Sequence, residues 1–463
     1  MYKPLKLQEK KGAVGAGGWA MFAVLAVAVA VLGGASRADA GQLVILRPVA
    51  ALFLIPAIYL YEPVAAKAFR APLICILVLL VIMILQLIPL PPSIWQSLPG
   101  REFVAELSLL VGQGDYWRPM SLTPTRTLNA LFSLIIPVVA LLIIVVTKVK
   151  RTTLLYVVAS IGFVDALIGL AQIISSGNEW LYQYRITNHG SAVGLFANEN
   201  HSAVFGAISL MVIAYIICDQ NRKHSRHWQS ALLFGAFVFV LLPSLTAGSR
   251  AGLLSTLFAL LASAAMFLLH LGLNKHSKKD LPTIFGVPIG SRLLSVGLLV
   301  AITSITTLFF TFDRAPALQS LTSAGAFDDM RFKIIPVLTE MVSTFWFWGA
   351  GFGSFEEVYH IYEPAALMTP EYVNQAHNDW AQFFIEGGVP ALSILVIGGI
   401  GFLRCLTGLG ASNRQQLITQ VFWIGCAAVV VFASLVDYPL RTPLFQFAIT
   451  ALLAALILEP ATD

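Results

Sequence analysis

Charged side chains are scarce in this chain. Asp, Glu, Lys and Arg make up 11% of its 463 residues, whereas hydrophobic residues reach 57%. A soluble domain carries about 25% charged residues, so this chain has too few charges to cover a water-facing surface. The composition excludes a soluble cytosolic enzyme, a disordered protein and a secreted disulfide scaffold. Because long apolar runs recur along the chain, it indicates a polytopic membrane protein.

Cysteine and the common nucleotide and metal motifs are also scarce. The four cysteines show no CxxC spacing: Cys75, Cys218, Cys405 and Cys426. We therefore predict packing thiols instead of disulfides or structural zinc. The sequence lacks an HExxH motif, a phosphate-binding loop and a dinucleotide fingerprint, which argues against a cytosolic nucleotide. Asp328 and Asp329 stand side by side without a third ligand, so we expect neither a metal site nor a cofactor.

Twelve apolar runs are long enough for a helix across a bilayer, which takes about 20 residues. Their approximate bounds are 14–34, 42–61, 72–90, 127–147, 152–174, 193–218, 230–247, 250–271, 292–312, 387–404, 416–436 and 440–459. They predict an all-α polytopic membrane protein, with one integral membrane domain over residues 1–463 and a large, partly helical outer loop at 313–386. The first run follows several lysines and precedes Ala38-Asp39-Ala40, so it fits a retained helix, which we favour, or a cleaved signal peptide.

The orientation follows from the placement of Lys and Arg, which are enriched in cytoplasmic loops. With the N-terminus inside, the inner segments hold 18 of the 29 Lys and Arg residues and the outer segments hold 10, although the outer segments are longer. Acidic residues show the opposite bias. We therefore predict that both termini lie on the cytoplasmic side of a bacterial inner membrane.

The long outer loop contains an amphipathic segment at 331–348. Its apolar residues, among them Ile334, Leu338 and Met341, recur at helical spacing, and Trp346 and Trp348 follow. This pattern predicts a helix that lies in the outer membrane–water interface.

Polar residues collect at the predicted outer ends of the spans. Five segments contribute them: Arg185 in YQYRITNHG, Asn200 and His201 at the start of span six, Arg250 between spans seven and eight, His377 and Asn378 in NQAHNDW, and Asp437 and Arg441 in VDYPLRTP. Because the charge bias puts these segments on one side of the membrane, we expect their side chains to share a site.

Several of these residues also have a purely structural interpretation. Arg441 fits a contact with lipid headgroups. His201 fits a helix start that an asparagine caps. Arg331, in the amphipathic segment, fits an ion pair with Asp328 or Asp329.

Arg250 and His377 are the stronger functional candidates. The turn that carries Arg250 is so short that its guanidinium stays close to the membrane, where an ionisable residue usually has a function. His377 is flanked by amides and a carboxylate directly before a span. Arginine binds phosphate with two parallel hydrogen bonds and keeps its charge, and a histidine beside an orienting carboxylate or amide suits a general base near pH 7. Together they indicate group transfer from a lipid-linked diphosphate.

With these residues the chain resembles the O-antigen ligase and O-antigen polymerase superfamily of bacterial membrane glycosyltransferases. The matching segments are GLFANENHSA (194–203), TAGSRAGLL (246–254), WGAGFGSF (348–355), AHNDWAQFFIEGGVPA (376–391) and SLVDYPLRTP (434–443). The resemblance covers residues 185–445 well and the first third, including RPMSLTPTRTL (118–128), loosely. The AGSRAG turn departs from the commoner SRG type but keeps the arginine. The glycines of WGAGFGSF fit either a close approach of the backbone to a ligand or a simple turn.

The resemblance implies a metal-independent, GT-C-like enzyme with its active site at the periplasmic face of the inner membrane. Its donor would be a glycan on undecaprenyl diphosphate, and its acceptor either lipid A-core or another glycan. The matching motifs carry over His377 as the catalytic histidine and Arg250 as a catalytic arginine that binds the diphosphate. We expect the other polar residues to bind substrate: Arg185, Asn200, His201, Arg331, Asn378, Asp437 and Arg441. Membrane lipids and polysaccharide-assembly proteins are the other expected partners, and nucleic acid is not expected.

Two alternatives stay open at this stage. Ligase and polymerase are nearly equivalent readings within the enzyme class, and we lean towards an O-antigen ligase-like protein in lipopolysaccharide or exopolysaccharide synthesis. A transporter, for example a flippase of lipid-linked sugars, belongs to a different class. It would need charged or broken-helix sites near the membrane midplane, whereas the polar groups here gather on one side, apart from Arg47 and Asp165.

The predicted orientation is testable by cysteine labelling in a variant without the four native cysteines. Cysteines introduced at positions 320 and 370 should react with an impermeant thiol reagent added from the outer side, and a cysteine at 277 should not. Labelling at 277 alone would contradict the orientation and, with it, the shared outer site.

Overall fold

A computed structural model of the chain describes residues 16–175, 179–219, 227–273, 330–368 and 373–459, with short pieces at 283–284, 287–288 and 303. Nearly all of the predicted span at 292–312, the pair Asp328 and Asp329, and the three labelling positions lie outside the described residues. The predicted single domain and the extent of its outer loop stay predictions.

Helices make up most of the described part. In its first half they are α1 (Ala16–Leu32), α2 (Gln42–Leu52), α3 (Leu54–Tyr59), α4 (Pro63–Ala66), α5 (Arg70–Leu87), α6 (Pro92–Trp95), α7 (Glu102–Leu110), α8 (Pro124–Ser133), α9 (Ile135–Thr147), α10 (Arg151–Ile174) and α11 (Glu199–Cys218). They continue with α12 (His227–Thr246), α13 (Arg250–Leu273), α14 (Met330–Lys333), α15 (Ile335–Phe345), α16 (Phe355–Tyr362), α17 (Asp379–Gly408), α18 (Arg414–Val436) and α19 (Pro443–Ile457).

Short 3₁₀ turns and two small ribbons complete the described structure. The 3₁₀ turns are Lys67–Phe69, Glu179–Leu181, Ala365–Leu367 and Pro439–Arg441. The strands are β1 (Pro89–Leu90), which pairs antiparallel with β2 (Arg118–Pro119), and β3 (Thr283–Ile284), which pairs antiparallel with β4 (Val287–Pro288). The first ribbon closes the base of the outer segment at 91–126.

The helices confirm an all-α polytopic membrane protein. In the described part, eight helical stretches are long and apolar enough to cross a membrane, and three shorter apolar helices, α1, α12 and α19, coincide with further predicted runs. Eleven of the twelve predicted runs therefore form apolar helices.

Prolines explain why some spans consist of two helices. A proline lacks an N–H and clashes with the carbonyl four residues earlier. Accordingly, α2 ends at Leu52, four residues before Pro56, and α8 ends at Ser133, four residues before Pro137. In α17 the helical backbone breaks at Gly388, two residues before Pro390, with a φ of 59°. The part of α17 before this break therefore takes its own direction.

Helix α11 forms the centre of the bundle. It is almost completely buried and packs against α10, α12, α13 and α18. A side chain at Gly162 would collide with Ser209, and one at Gly252 would collide with Ala203. Small residues at such contacts let two helix backbones approach closely. This packing brings the first turns of α11 and α13 next to each other.

The glycines at 349–353 serve contacts within the protein. Gly349 and Gly351 have φ values of 77° and 108°, and a side chain on them would collide with the backbone of Glu386 and with Ser121, respectively. The side chain of Gln86 reinforces the same place, because it donates to the Glu386 carbonyl at 2.9 Å and accepts from the Phe352 N–H at 3.0 Å. Of the two interpretations of this segment, the structure favours the turn.

The amphipathic segment at 331–348 is helical, but its environment differs from the prediction. The helix is interrupted between α14 and α15. Ile334, Leu338 and Met341 are buried against α16 and α17. The predicted apolar face therefore packs on the protein and does not face the membrane interface. Phe332 and Ile335 near its start stay exposed, as do Trp346 and Trp348 at its end.

Candidate active site

The carboxylate of Asp437 lies at the centre of a polar cluster where α18 ends. It is 1% exposed. Its Oδ2 accepts a hydrogen bond from Asn200 Nδ2 at 2.5 Å, and its Oδ1 accepts one from the Tyr438 N–H at 3.0 Å. The same Oδ1 lies 3.5 Å from His377 Nδ1 and 4.0 Å from His201 Nε2. Side chains from two other connections thus meet at this carboxylate.

The surroundings of Asp437 keep it ionised. Burial alone would raise the pKa of this carboxyl, but the contact with His377 and the nearby His201 and Arg331 side chains hold the pKa well below its usual range. A hydrogen-bonded, charge-compensated carboxylate is stabilised in this way even when water is excluded. Arg331 of α14 therefore acts electrostatically on this cluster.

His377 has an unusual backbone conformation. Its φ is 48°, and Lys148 is the only other described residue besides glycine with a positive φ. This region costs a non-glycine residue about 1–3 kcal/mol, so the surrounding structure has to hold it. Two contacts do so: the Asn378 side chain caps α17 by accepting from the Ala381 N–H at 2.9 Å, and the Ala376 N–H donates to Gln382 Oε1 at 2.9 Å.

The imidazole of His377 turns one edge towards Asp437 and the other outwards. Its side chain is 27% exposed, whereas Nδ1 itself is buried. The exposed edge is therefore the one that carries Nε2. The ring packs edge-on against Tyr438 at a centroid distance of 5.0 Å. With the proton on Nδ1 directed at Asp437, the Nε2 lone pair can accept a proton from a substrate.

His201 lies inside the protein. It is 1% exposed, its Nδ1 is 3.1 Å from Thr442 Oγ1, and its ring packs edge-on against Tyr438 at 5.2 Å. Asn198 caps α11, as its sequence position suggested, by accepting from the Asn200 N–H. His201 and Asn200 were expected to bind substrate. In this structure the His201 ring and the Asn200 amide group instead contact other groups of the protein.

Arg441 also faces protein groups instead of headgroups. Its Nη2 lies 3.2 Å from Glu386 Oε2 and its Nε lies 3.3 Å from Asp379 Oδ1. Asp379 also accepts from the Leu440 N–H at 3.2 Å. Both carboxylates are buried, so the guanidinium compensates charges that would otherwise be costly. The structure thus gives Arg441 an internal role that the sequence alone did not indicate.

A hydrogen-bond chain links this ion pair to His377. Glu386 Oε1 accepts from Gln382 Nε2 at 2.9 Å, and Gln382 Oε1 accepts from the Ala376 N–H next to His377. The sequence offered a signal for this chain, because positions 379, 382 and 386 fall on one face of a helix. None of these three residues was among the predicted site residues.

The turn that carries Arg250 is attached to the start of α11. The Gly248 N–H donates to Glu199 Oε2 at 3.1 Å, and Glu199 directly precedes Asn200. The Ser249 hydroxyl accepts from the Gly252 N–H and so caps α13. Arg250, the first residue of α13, is therefore next to the helix whose first turn supplies Asn200 and His201.

Arg185 is another of the predicted site residues. It is exposed on the connection between α10 and α11. That connection is held by Gln172 and Asp165 of α10, which accept from the backbone N–H groups of Gly194 and Leu195. Within the residues that the structure describes, no group of three or more His, Cys, Asp or Glu side chains is arranged to hold a metal ion.

These features define a helical, polytopic membrane protein with a histidine–carboxylate pair and several arginines at one end of its bundle. Residues 244–396 match the family model described as O-antigen ligase. This part of the chain is therefore similar to the O-antigen ligase family, a similarity that indicates a glycosyltransferase-like ligase or polymerase. A comparison with curated proteins finds no match.

The matched range covers only part of the cluster. It includes Arg250, Arg331 and His377, whereas Asp437 and Arg441 follow it. The fold completes the site by bringing the later turn, between α18 and α19, against His377 and Asp379.

Replacement of Arg441 should lower the stability of the protein. Arg441→Met leaves two buried carboxylates without their cation, which costs about 3 kcal/mol, and should lower the melting temperature in detergent. Adding Glu386→Gln should recover part of the loss. As a control, Arg185→Met at an exposed position should change stability by less than about 0.5 kcal/mol. An unchanged melting temperature with weakened donor binding would show that Arg441 serves the substrate instead.

Proposed function

We propose that this protein is an O-antigen ligase-like glycosyltransferase. It transfers a glycan from an undecaprenyl-diphosphate carrier to an acceptor at the periplasmic face of the bacterial inner membrane, in lipopolysaccharide or exopolysaccharide synthesis. The observation that carries this proposal is the pair formed by His377 and the buried, ionised Asp437, with His377 Nε2 on the exposed edge of the ring. Such a pair suits a general base that accepts a proton from an acceptor hydroxyl.

In the proposed reaction the acceptor hydroxyl attacks the anomeric carbon of the donor glycan. His377 Nε2 takes the hydroxyl proton while the bond between the anomeric carbon and the diphosphate oxygen breaks. Undecaprenyl diphosphate leaves with the bonding electrons. Asp437 holds the imidazole in the tautomer with the proton on Nδ1 and stabilises the imidazolium that forms. Direct attack inverts the configuration at the anomeric carbon, without a covalent glycosyl-enzyme.

Positive charge near the pair supports a diphosphate donor. Arg250 is the first residue of α13, and Arg331 lies close enough to Asp437 to influence its pKa. The N-terminal ends of α11, α13, α17 and α19 all lie at this end of the bundle. Helix N-termini carry partial positive charge and favour phosphate groups. We assign Arg250 and Arg331 to the diphosphate and keep Arg185 and Asn378 as candidates for contacts with the glycan.

Two observations make a transporter the weaker alternative. The charged residues within spans have partners in the bundle: Arg47 donates to Asn129 Oδ1 at 2.6 Å, and Asp165 accepts from the Leu195 N–H at 2.7 Å and from Ser202 Oγ at 2.8 Å. Side chains occupied in this way offer little to a cargo at the membrane midplane. A polymerase of lipid-linked repeat units would use the same site, and only its acceptor would differ.

His377→Ala tests the general base. The variant should lose about 10² to 10⁴ in turnover rate, because proton transfer contributes that much to such reactions. It should still bind the lipid-linked donor, because the arginines are unchanged. Product formation and donor binding should be measured in purified protein with excess chelator. Near-normal turnover would remove His377 from the mechanism, and activity of the unaltered protein that vanishes with chelator would require a metal.

Arg250→Ala and Arg250→Lys test the diphosphate contact. The alanine variant should lose transfer while still inserting in the membrane. The lysine variant should recover little, because a point charge cannot reproduce two parallel hydrogen bonds to phosphate. Full activity of the lysine variant would show that a general positive charge is enough and would contradict a bidentate contact.

A further inference from the structure

His201, the buried histidine of the cluster, takes no part in the proposed proton transfer. We propose that His201 is a positioning residue: its Nε2–H holds the Asp437 carboxylate, which in turn orients His377. This inference rests on the proposed function, since it assumes that His377 is the base. His201 itself neither contacts substrate nor exchanges a proton during the reaction.

His201 is enclosed by the protein. The side chain is 1% exposed, so a substrate does not reach it in this structure. Its Nε2 is buried and has no hydrogen-bond partner at ordinary distance, but it lies 4.0 Å from Asp437 Oδ1. The same oxygen lies 3.5 Å from the buried Nδ1 of His377. A buried polar atom without a partner is costly, and a small movement of the carboxylate would bring Oδ1 into hydrogen-bond distance of either ring.

The tautomer of His201 also fits this role, because the groups at both edges of the ring are compatible with a proton on Nε2. Thr442 Oγ1 lies 3.1 Å from His201 Nδ1. When the hydroxyl donates to Nδ1, the ring proton is on Nε2 and faces the Asp437 carboxylate, which is a strong acceptor. In the other tautomer an Nε2 lone pair would face the negative charge, which is unfavourable. Asp437 therefore selects the tautomer with the proton on Nε2, and the Thr442 hydroxyl satisfies Nδ1 in that tautomer by donating to it.

Hydrogen bonds restrain both oxygens of the Asp437 carboxylate. Asn200 holds Oδ2, and the Tyr438 N–H holds Oδ1. A hydrogen bond from His201 Nε2 to Oδ1, which now lies 4.0 Å away, adds a third restraint that keeps the carboxylate directed at His377. Because a misplacement of about 1 Å can cost about 10²-fold in rate, loss of this restraint should reduce turnover although no catalytic group is removed.

A series at position 201 tests the position of the N–H. In His201→Gln the amide nitrogen occupies about the place of Nε2 and can still donate to Asp437, whereas in His201→Asn it corresponds to Nδ1 and does not reach. We expect His201→Asn and His201→Phe to lower kcat about 10- to 100-fold, with the KM for the donor nearly unchanged. His201→Gln should recover most of the loss. Equal activity in the glutamine and asparagine variants would overturn the proposal.

A double-mutant cycle with Asp437→Asn tests whether His201 acts through the carboxylate. If it does, His201→Phe should cause little further loss of kcat once Asp437 has been replaced. The same fold loss in both backgrounds would overturn the proposal. Should the phenylalanine variant not fold, Thr442→Val and Thr442→Ser give the same test, because only serine keeps the hydroxyl: valine should reproduce the loss and serine should not.

Controls separate this inference from the proposed function and from a general loss of stability. His360→Phe removes another histidine–carboxylate contact, to Glu363 at 3.3 Å in and after α16, and should leave kcat unchanged. Melting temperatures should be measured for every variant. If His377→Ala is inactive while His201→Phe keeps full kcat, the inference fails and the proposed function stands. If His377→Ala is active, the proposed function itself fails.

Discussion

The structure of the site depends on one buried negative charge, the carboxylate of Asp437. An ionised carboxylate away from water is tolerated only when hydrogen bonds and positive charges compensate it. The compensating groups come from the start of α11, from the segment before α17 and from α14. Because each is attached to a different span, the requirement to satisfy one carboxylate fixes the relative positions of helices that are distant in sequence.

A second charge cluster holds the opposite ends of several of these helices. At the start of α10, Arg151 pairs with Asp219, which follows α11, and with Glu459, which follows α19. Tyr215 of α11 stacks on Phe422 of α18 at 4.2 Å. Helices α11, α18 and α19 are therefore fixed at both ends, by one polar cluster in each place, with apolar packing between them. Such a frame suits a site that has to keep His377 in a strained conformation.

The spans could be predicted from the sequence, because long apolar runs follow directly from the cost of placing polar groups in lipid. The contacts between residues of different connections could not be predicted. Asp437 and Arg441 looked like substrate contacts because nothing local in VDYPLRTP shows that their partners are His377, Asp379 and Glu386, all of which lie more than fifty residues earlier. The glycines of WGAGFGSF were ambiguous for the same reason, since only the fold shows what approaches them.

The distribution of the cluster along the chain has a consequence for biogenesis. Helices enter the membrane in the order of synthesis, and the earlier part of a chain can begin to fold first. Until the turn at 437–442 is in place, the carboxylates of Asp379 and Glu386 lack Arg441, and His377 lacks its orienting partner. The cluster therefore forms only after the turn at 437–442 has been inserted, so that a chain inserted only as far as α17 does not yet hold the proposed base in its orientation.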